Sequence, residues 1–187
     1  MDWGNGSDLV SAVCNIAMAG AAIYAASNAK DWLSPKLNER KFKFADELIE
    51  KFCILQQEAF YLHADVKQII NTDPEEQGDI AQFRKRWHLM YDRENTYRKN
   101  TVSLQTEMER MELWGLKPKN KAEFTKIIKA HLDLAYTISD SLGIGASESQ
   151  LRLKNSFIYD KKISEKYRAV RASHNNIIKH YSKLFID

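Results

Sequence analysis

Residues 45–69 read Ala-Asp-Glu-Leu-Ile-Glu-Lys-Phe-Cys-Ile-Leu-Gln-Gln-Glu-Ala-Phe-Tyr-Leu-His-Ala-Asp-Val-Lys-Gln-Ile. Ala45, Leu48, Phe52, Leu55, Ala59, Leu62, Val66 and Ile69 recur in alternating steps of three and four. That is a heptad seam, the pattern of a helix packed along its length against other helices. A second seam follows after a short break: Ile80, Phe83, Trp87, Met90, Glu94, Tyr97, Thr101, Leu104, Met108 and Met111. The two predict a long antiparallel helical hairpin, on which the rest of the chain packs.

Working outward, Asn71-Thr72-Asp73-Pro74-Glu75-Glu76 separates the seams. Asp73 suits a helix N-cap, Pro74 the first helical position, and the two Glu residues the positive end of the helix dipole. Gly115-Leu116-Lys117-Pro118 stops the second helix. Asn120 with Glu123 has the form of a capping box and opens a third. Its apolar face holds Phe124, Ile127, Ile128, Leu132, Ala135, Ile138 and Leu142, and Gly143-Ile144-Gly145 closes it. Ser147 with Gln150 opens a fourth helix, with Ile163, Tyr167, Val170, His174, Ile177, Tyr181 and Leu184 on its seam. The expected body, 34–187, is an all-α four-helix, coiled-coil-like bundle with helices about 37–71, 75–113, 120–142 and 147–185. Its first two helices are the longest, so the hairpin is expected to project beyond the others.

The chain has 187 residues, with only seven Gly and three Pro, which favours long uninterrupted helices over a β-sandwich. Its 28 basic and 25 acidic residues are interleaved, giving a net charge of +3 and no global basic field of the kind nucleic-acid binders show. Cys14 and Cys53 lie in different apolar patterns without metal-ligand spacing, arguing against a disulfide framework or a zinc site.

Residues 9–29 carry no charge. About twenty such residues cross a hydrocarbon core of roughly 30 Å. Trp3 and Trp32 bracket the run, and Lys30, Lys36, Arg40, Lys41 and Lys43 follow it, whereas only Asp2 and Asp8 precede it. Ser34-Pro35 is expected to break the helix that carries it. The reading is therefore a membrane anchor in 1–33, single-pass in an inner membrane, with the N-terminus outside and the bundle in the cytoplasm. Ala17, Ala21, Ala25 and Ala29 form a small-residue ridge that suits helix association. The competing reading is a cytoplasmic bundle with the Ala-rich 9–29 segment in its core.

No Glu is followed three residues later by His, which excludes the paired motif of di-iron bundles. There is no Walker loop, GxGxxG, GxSxG or HExxH, and no cofactor or metal is expected. Arg168 and His174 are separated by five residues in a helical chain. This spacing resembles the Arg-x4-6-His motif of HEPN-type ribonucleases, small helical domains whose paired Arg and His cut RNA at a dimer interface. The resemblance covers two residues, and Ala169 stands where that family usually has a polar one. It implies Arg168 and His174 as catalytic residues; the seam makes His174 a core histidine instead. Glu94 and Thr101 interrupt the second seam, and Asp160 lies near the fourth. Glu94 is expected to face solvent or to pair with a cation of the fourth helix. Basic clusters at Lys36–Lys43, Arg84–Arg86, Lys117–Lys121 and Lys161–Lys162 read mainly as solvated faces.

The functional expectation is a non-enzymatic, membrane-anchored bundle that presents helix faces to a partner protein or to itself. Nucleic acid and small-molecule substrates are not expected. The compact format suggests an accessory or defence-system subunit in bacteria.

Overall fold

A computed structural model describes residues 6–113 and 121–178. Side chains are described from residue 43 onward, save 77 and 176–178, and before it only at 18, 19, 21–24, 36, 39 and 40. All regular structure among the described residues is helical: α1 (Gly6–Ile70), α2 (Pro74–Gln77), α3 (Ile80–Leu113), α4 (Lys121–Leu142) and α5 (Ser149–Ile178). The chain divides into two units, Met1–Phe44 and Ala45–Asp187.

The second unit is built on the seam. All eight of its residues, Ala45 to Ile69, are buried. Full burial of a Leu, Ile or Phe side chain contributes roughly 1.5–3 kcal/mol, so this face accounts for a large share of the bundle's stability. Three cross-helix contacts give the register with α3. Lys51 Nζ lies 2.6 Å from a Glu107 carboxylate oxygen, Asn100 Nδ2 donates to Glu58 at 3.2 Å, and Arg93 pairs with Asp65 at 2.5 Å. Each step of seven residues forward along α1 is a step of seven back along α3, which is an antiparallel heptad pairing. Glu112–Lys121 and Tyr97–His131 set α4 antiparallel to α3. Lys166–Asp133 and His174–His131 set α5 antiparallel to α4. Lys67–Asp160 and the Phe52–His174 ring contact return α5 to α1 and close the ring of four.

Several expectations change. The α-helix continues through Ser34-Pro35, so the expected break is not a helix end; a proline costs one backbone hydrogen bond, which a long helix can carry as a local bend. The Asp73 cap forms, with Oδ1 accepting from Glu75 N at 2.9 Å, but the helix it opens is one turn long. Gly78, at φ 73°, ends it in the left-handed region that glycine reaches freely, and Asp79 then caps α3 through Gln82 N at 2.8 Å. Within the second unit α3 is covered from end to end. Arg152 of α5 covers the start of α3, Lys121 of α4 meets Glu112 at its end, and α3 is buried from Phe83 to Met111. Ile80 is exposed, and Met108, Leu132 and Tyr167 are only half-buried. Asn120 lies outside the described residues, and α5 starts two residues past the expected cap at Ser147.

Among the described residues no helix is long and apolar enough to cross a membrane, so the expected transmembrane anchor has no support there. Asn15, Ser27 and Asn28 dilute an Ala-rich run. Trp3 lies outside the described residues, as do the side chains of Trp32, Lys30, Lys41, Ala17, Ala25 and Ala29. Of the anchor and ridge residues that are described, Lys36, Arg40 and Ala21 are exposed.

Candidate functional site

The interior of the four-helix unit carries a chain of polar side chains drawn from three helices. Tyr97 of α3 falls on a seam position, and so does His174 of α5; His131 of α4 supplies the middle. Tyr97 Oη lies 2.5 Å from His131 Nδ1, and His131 Nε2 lies 2.7 Å from His174 Nε2. With both rings neutral the chain is satisfied in either direction: Tyr97 donates to His131 Nδ1 and His131 Nε2 to His174, or His174 donates to His131 Nε2 and His131 Nδ1 to Tyr97 Oη. Thr101 Oγ1 donates to the Tyr97 carbonyl at 2.9 Å, which explains how a threonine is accommodated on the buried seam. Phe52 of α1 caps the layer, with ring contacts of 5.5 Å to Phe124 and 6.2 Å to His174.

The layer is neutral at pH 7. Burial pulls His131 down to about 3, reinforced by His174, and burial alone pulls His174 to about 4. Burial also raises Tyr97 well above the ordinary phenol value. A neutral, mutually bonded chain holds structure in place; it offers no charged acid or exposed base to a substrate.

One turn from Tyr97, Glu94 is fully buried, and neither carboxylate oxygen has a hydrogen-bond partner. Its cation is Arg98 on the same helix, at 3.3 Å, rather than one from the fourth bundle helix or solvent. Burial raises its pKa, and Arg98 opposes the rise. At the end of the bundle Arg152 is the largest fully buried side chain among the described residues. It donates to the carbonyls of Ala146 (3.1 Å) and Thr72 (3.0 Å). Its guanidinium lies 4.6 Å from the Phe83 ring centroid and 5.4 Å from that of Trp87, and Nε has no partner.

No family model matches the chain, and no curated protein or solved structure matches it either.

The two residues of the nuclease resemblance are not brought together: Arg168 is exposed, while His174 is buried and bonded to His131. Among the described residues no group of three or more His, Cys, Asp or Glu side chains could hold a metal ion. Asp160 pairs with Lys67 at 3.3 Å, and His63 stacks on Tyr167 at 3.9 Å. Shallow grooves of about 320 and 210 Å³ run along α1 and α3 and share Ile54 and Glu58 in their walls. A third, about 240 Å³, lies between α3 and α4 beside Met108 and Ile128. Sequence reasoning missed His131 and Arg152. His131 is in phase with Phe124, Ile127, Leu134 and Ile138, and Arg152 lies eleven residues, three helical turns, before Ile163, so both occupy seam positions.

Proposed function

We propose that this protein is a non-enzymatic helical-bundle protein that works by presenting helix faces to a partner protein or to another copy of itself. The observation that carries the reading is the exposure of the N-terminal unit's apolar helix. Met18, Ile23 and Tyr24 are 65%, 69% and 71% exposed, and Ala19, Ala21 and Ala22 are exposed with them. At 100° per residue these six positions point to every side of the helix, so the unit leaves apolar surface for something else to cover. The interior polar layer supports the same reading, because its groups are spent on one another.

A second reading, a single-pass anchor with the bundle on the cytoplasmic side, draws on the same all-round exposure and on the exposed Lys36, Arg40 and Lys43 that follow. One experiment tests both. The full chain and a chain beginning at Asp31 are expressed, fractionated through carbonate and detergent, and sized by sedimentation. A full chain that self-associates or holds a partner outside the membrane, with a helical, monomeric truncation, is the expected result. Retention through carbonate selects the anchor. A monomeric, carbonate-soluble full chain whose truncation misfolds would sink both, since 9–29 would then be a core helix.

A further inference from the structure

The outward side of α5 has a chemistry that none of the preceding features uses. Ile163, Val170 and His174 turn inward, and the opposite side of the helix is exposed over its described length. Leu151, Phe157 and Ile158 are 48%, 78% and 50% exposed there. Around and beyond them the exposed charges are Lys154, Lys161, Lys162, Arg168 and Arg171, against a single acid, Glu165. The chain as a whole is nearly balanced, so this concentration of one sign is local. Among the described residues none of the five cations has a carboxylate partner; Lys166, which does, pairs with Asp133 across the α4–α5 contact. Lys162 lies only over the Tyr159 ring, at 5.7 Å.

We propose that this face of α5 docks on an anionic lipid bilayer surface, with Leu151, Phe157 and Ile158 entering the headgroup region and the flanking cations meeting lipid phosphates. Three arguments select that occupant. The face is complementary in sign to anionic headgroups, and each Lys or Arg held near such a surface strengthens attachment. Lysine stems lie along apolar surface while their ammonium groups reach outward, which suits an interface that is oily below and charged above. Leu151 and Ile158 lie one heptad apart with Phe157 beside Ile158 in sequence, so the apolar positions are spread over the exposed side of the helix, and a deformable, flat medium covers them without a matching pocket. A nucleic-acid strand would satisfy the cations but leave Leu151 and Ile158 against phosphate and water. The inference stands apart from residues 9–29: it concerns a peripheral contact of the folded bundle.

The test is local, so that the N-terminal helix does not confuse it. In the full chain, with Cys14→Ser and Cys53→Ser, Ile158→Cys is labelled with an environment-sensitive fluorophore. Phosphatidylglycerol-containing vesicles should shift its emission to the blue, neutral phosphatidylcholine vesicles should not, and added salt should reverse the shift. Lys161→Glu with Lys162→Glu should weaken the response roughly tenfold or more. Those substitutions are exposed and leave helicity intact, which circular dichroism checks. No shift with anionic vesicles, an equal shift with neutral ones, or indifference to the double charge reversal each overturns the proposal. A shift produced by a single-stranded RNA oligonucleotide and not by vesicles overturns it in favour of nucleic acid.

Discussion

Among the described residues two charged side chains, Arg152 and Glu94, are sealed inside this bundle, and they are treated in opposite ways. Arg152 arrives with acceptors from two different connections, the carbonyls of Thr72 and Ala146, and rests against two aromatic rings. Glu94 arrives with one cation from its own helix and two carboxylate oxygens without a hydrogen bond. The first ties together segments far apart in sequence. The second adds a desolvation cost and ties nothing across helices. Burial of a charge thus says little about stability until its partners are counted.

That contrast can be broken at its strongest point first. Arg152→Met keeps much of the volume and removes the donors, leaving two carbonyls unpaired beside Phe83 and Trp87. It should cost about 3 kcal/mol or more, read as a lower urea midpoint at unchanged slope. A loss under about 1 kcal/mol would mean that the carbonyls find other partners.

Acid comes next. His131 and His174 titrate at about 3 and about 4 in the folded chain, against 6.5 for the free side chain. Below pH 6.5 the unfolded chain therefore binds protons that the folded one refuses. The stability associated with these neutral rings is present above pH 6.5 and is lost as pH falls towards 4 and 3. Thermal melts between pH 7.5 and 4.5 should show a falling midpoint. A flat profile would mean that the rings are not held neutral.

Tyr97→Phe, which leaves His131 Nδ1 without its hydrogen-bond partner, should cost about 1–2 kcal/mol in chemical denaturation. Glu94→Gln should act in the other direction, stabilising by about 1 kcal/mol at neutral pH by removing a poorly compensated buried charge. The sign follows from its raised pKa: stability from Glu94 is present below the ordinary value of 4.5 and is lost as pH rises through the folded value. The variant should consequently gain most at neutral pH and lose more than the parent on acidification. If it is destabilised instead, Arg98 compensates the carboxylate better than its geometry implies. Smallest of all, Lys51→Ala should cost less than about 0.5 kcal/mol, because Lys51 is half-exposed and its pair with Glu107 lies at the surface.

The sequence made some of this legible and hid the rest for identifiable reasons. The α1 seam was readable to the residue because eight apolar side chains keep one phase with no polar interruption. Thr101 and Glu94 stood at the right positions, but a one-residue pattern cannot say which helix turns towards them. Glu94 was therefore expected to find solvent or a distant cation and found Arg98. His131 was passed over for its neighbour Leu132, which is only half-buried, because an apolar residue next to a polar one draws the phase towards itself. Arg152 was invisible to hydropathy altogether; its phase with Ile163 was the signal. The polar layer exists only once three helices meet, and no spacing within one helix encodes it.

The pairs Lys51–Glu107, Asn100–Glu58 and Arg93–Asp65 have a consequence for errors of alignment. Shift α3 by one heptad in one direction and Glu58 faces Glu107, so like charges reject the mistake. Shift it the other way and Glu58 faces Arg93 while Asp65 faces Arg86, and the charges raise no objection. The ladder proofreads in one direction only. The other direction falls to Arg152, which touches Thr72 just past the end of α1 and Phe83 and Trp87 near the start of α3. A buried cation serves here as a gauge, setting how far one rod of the hairpin overshoots the other.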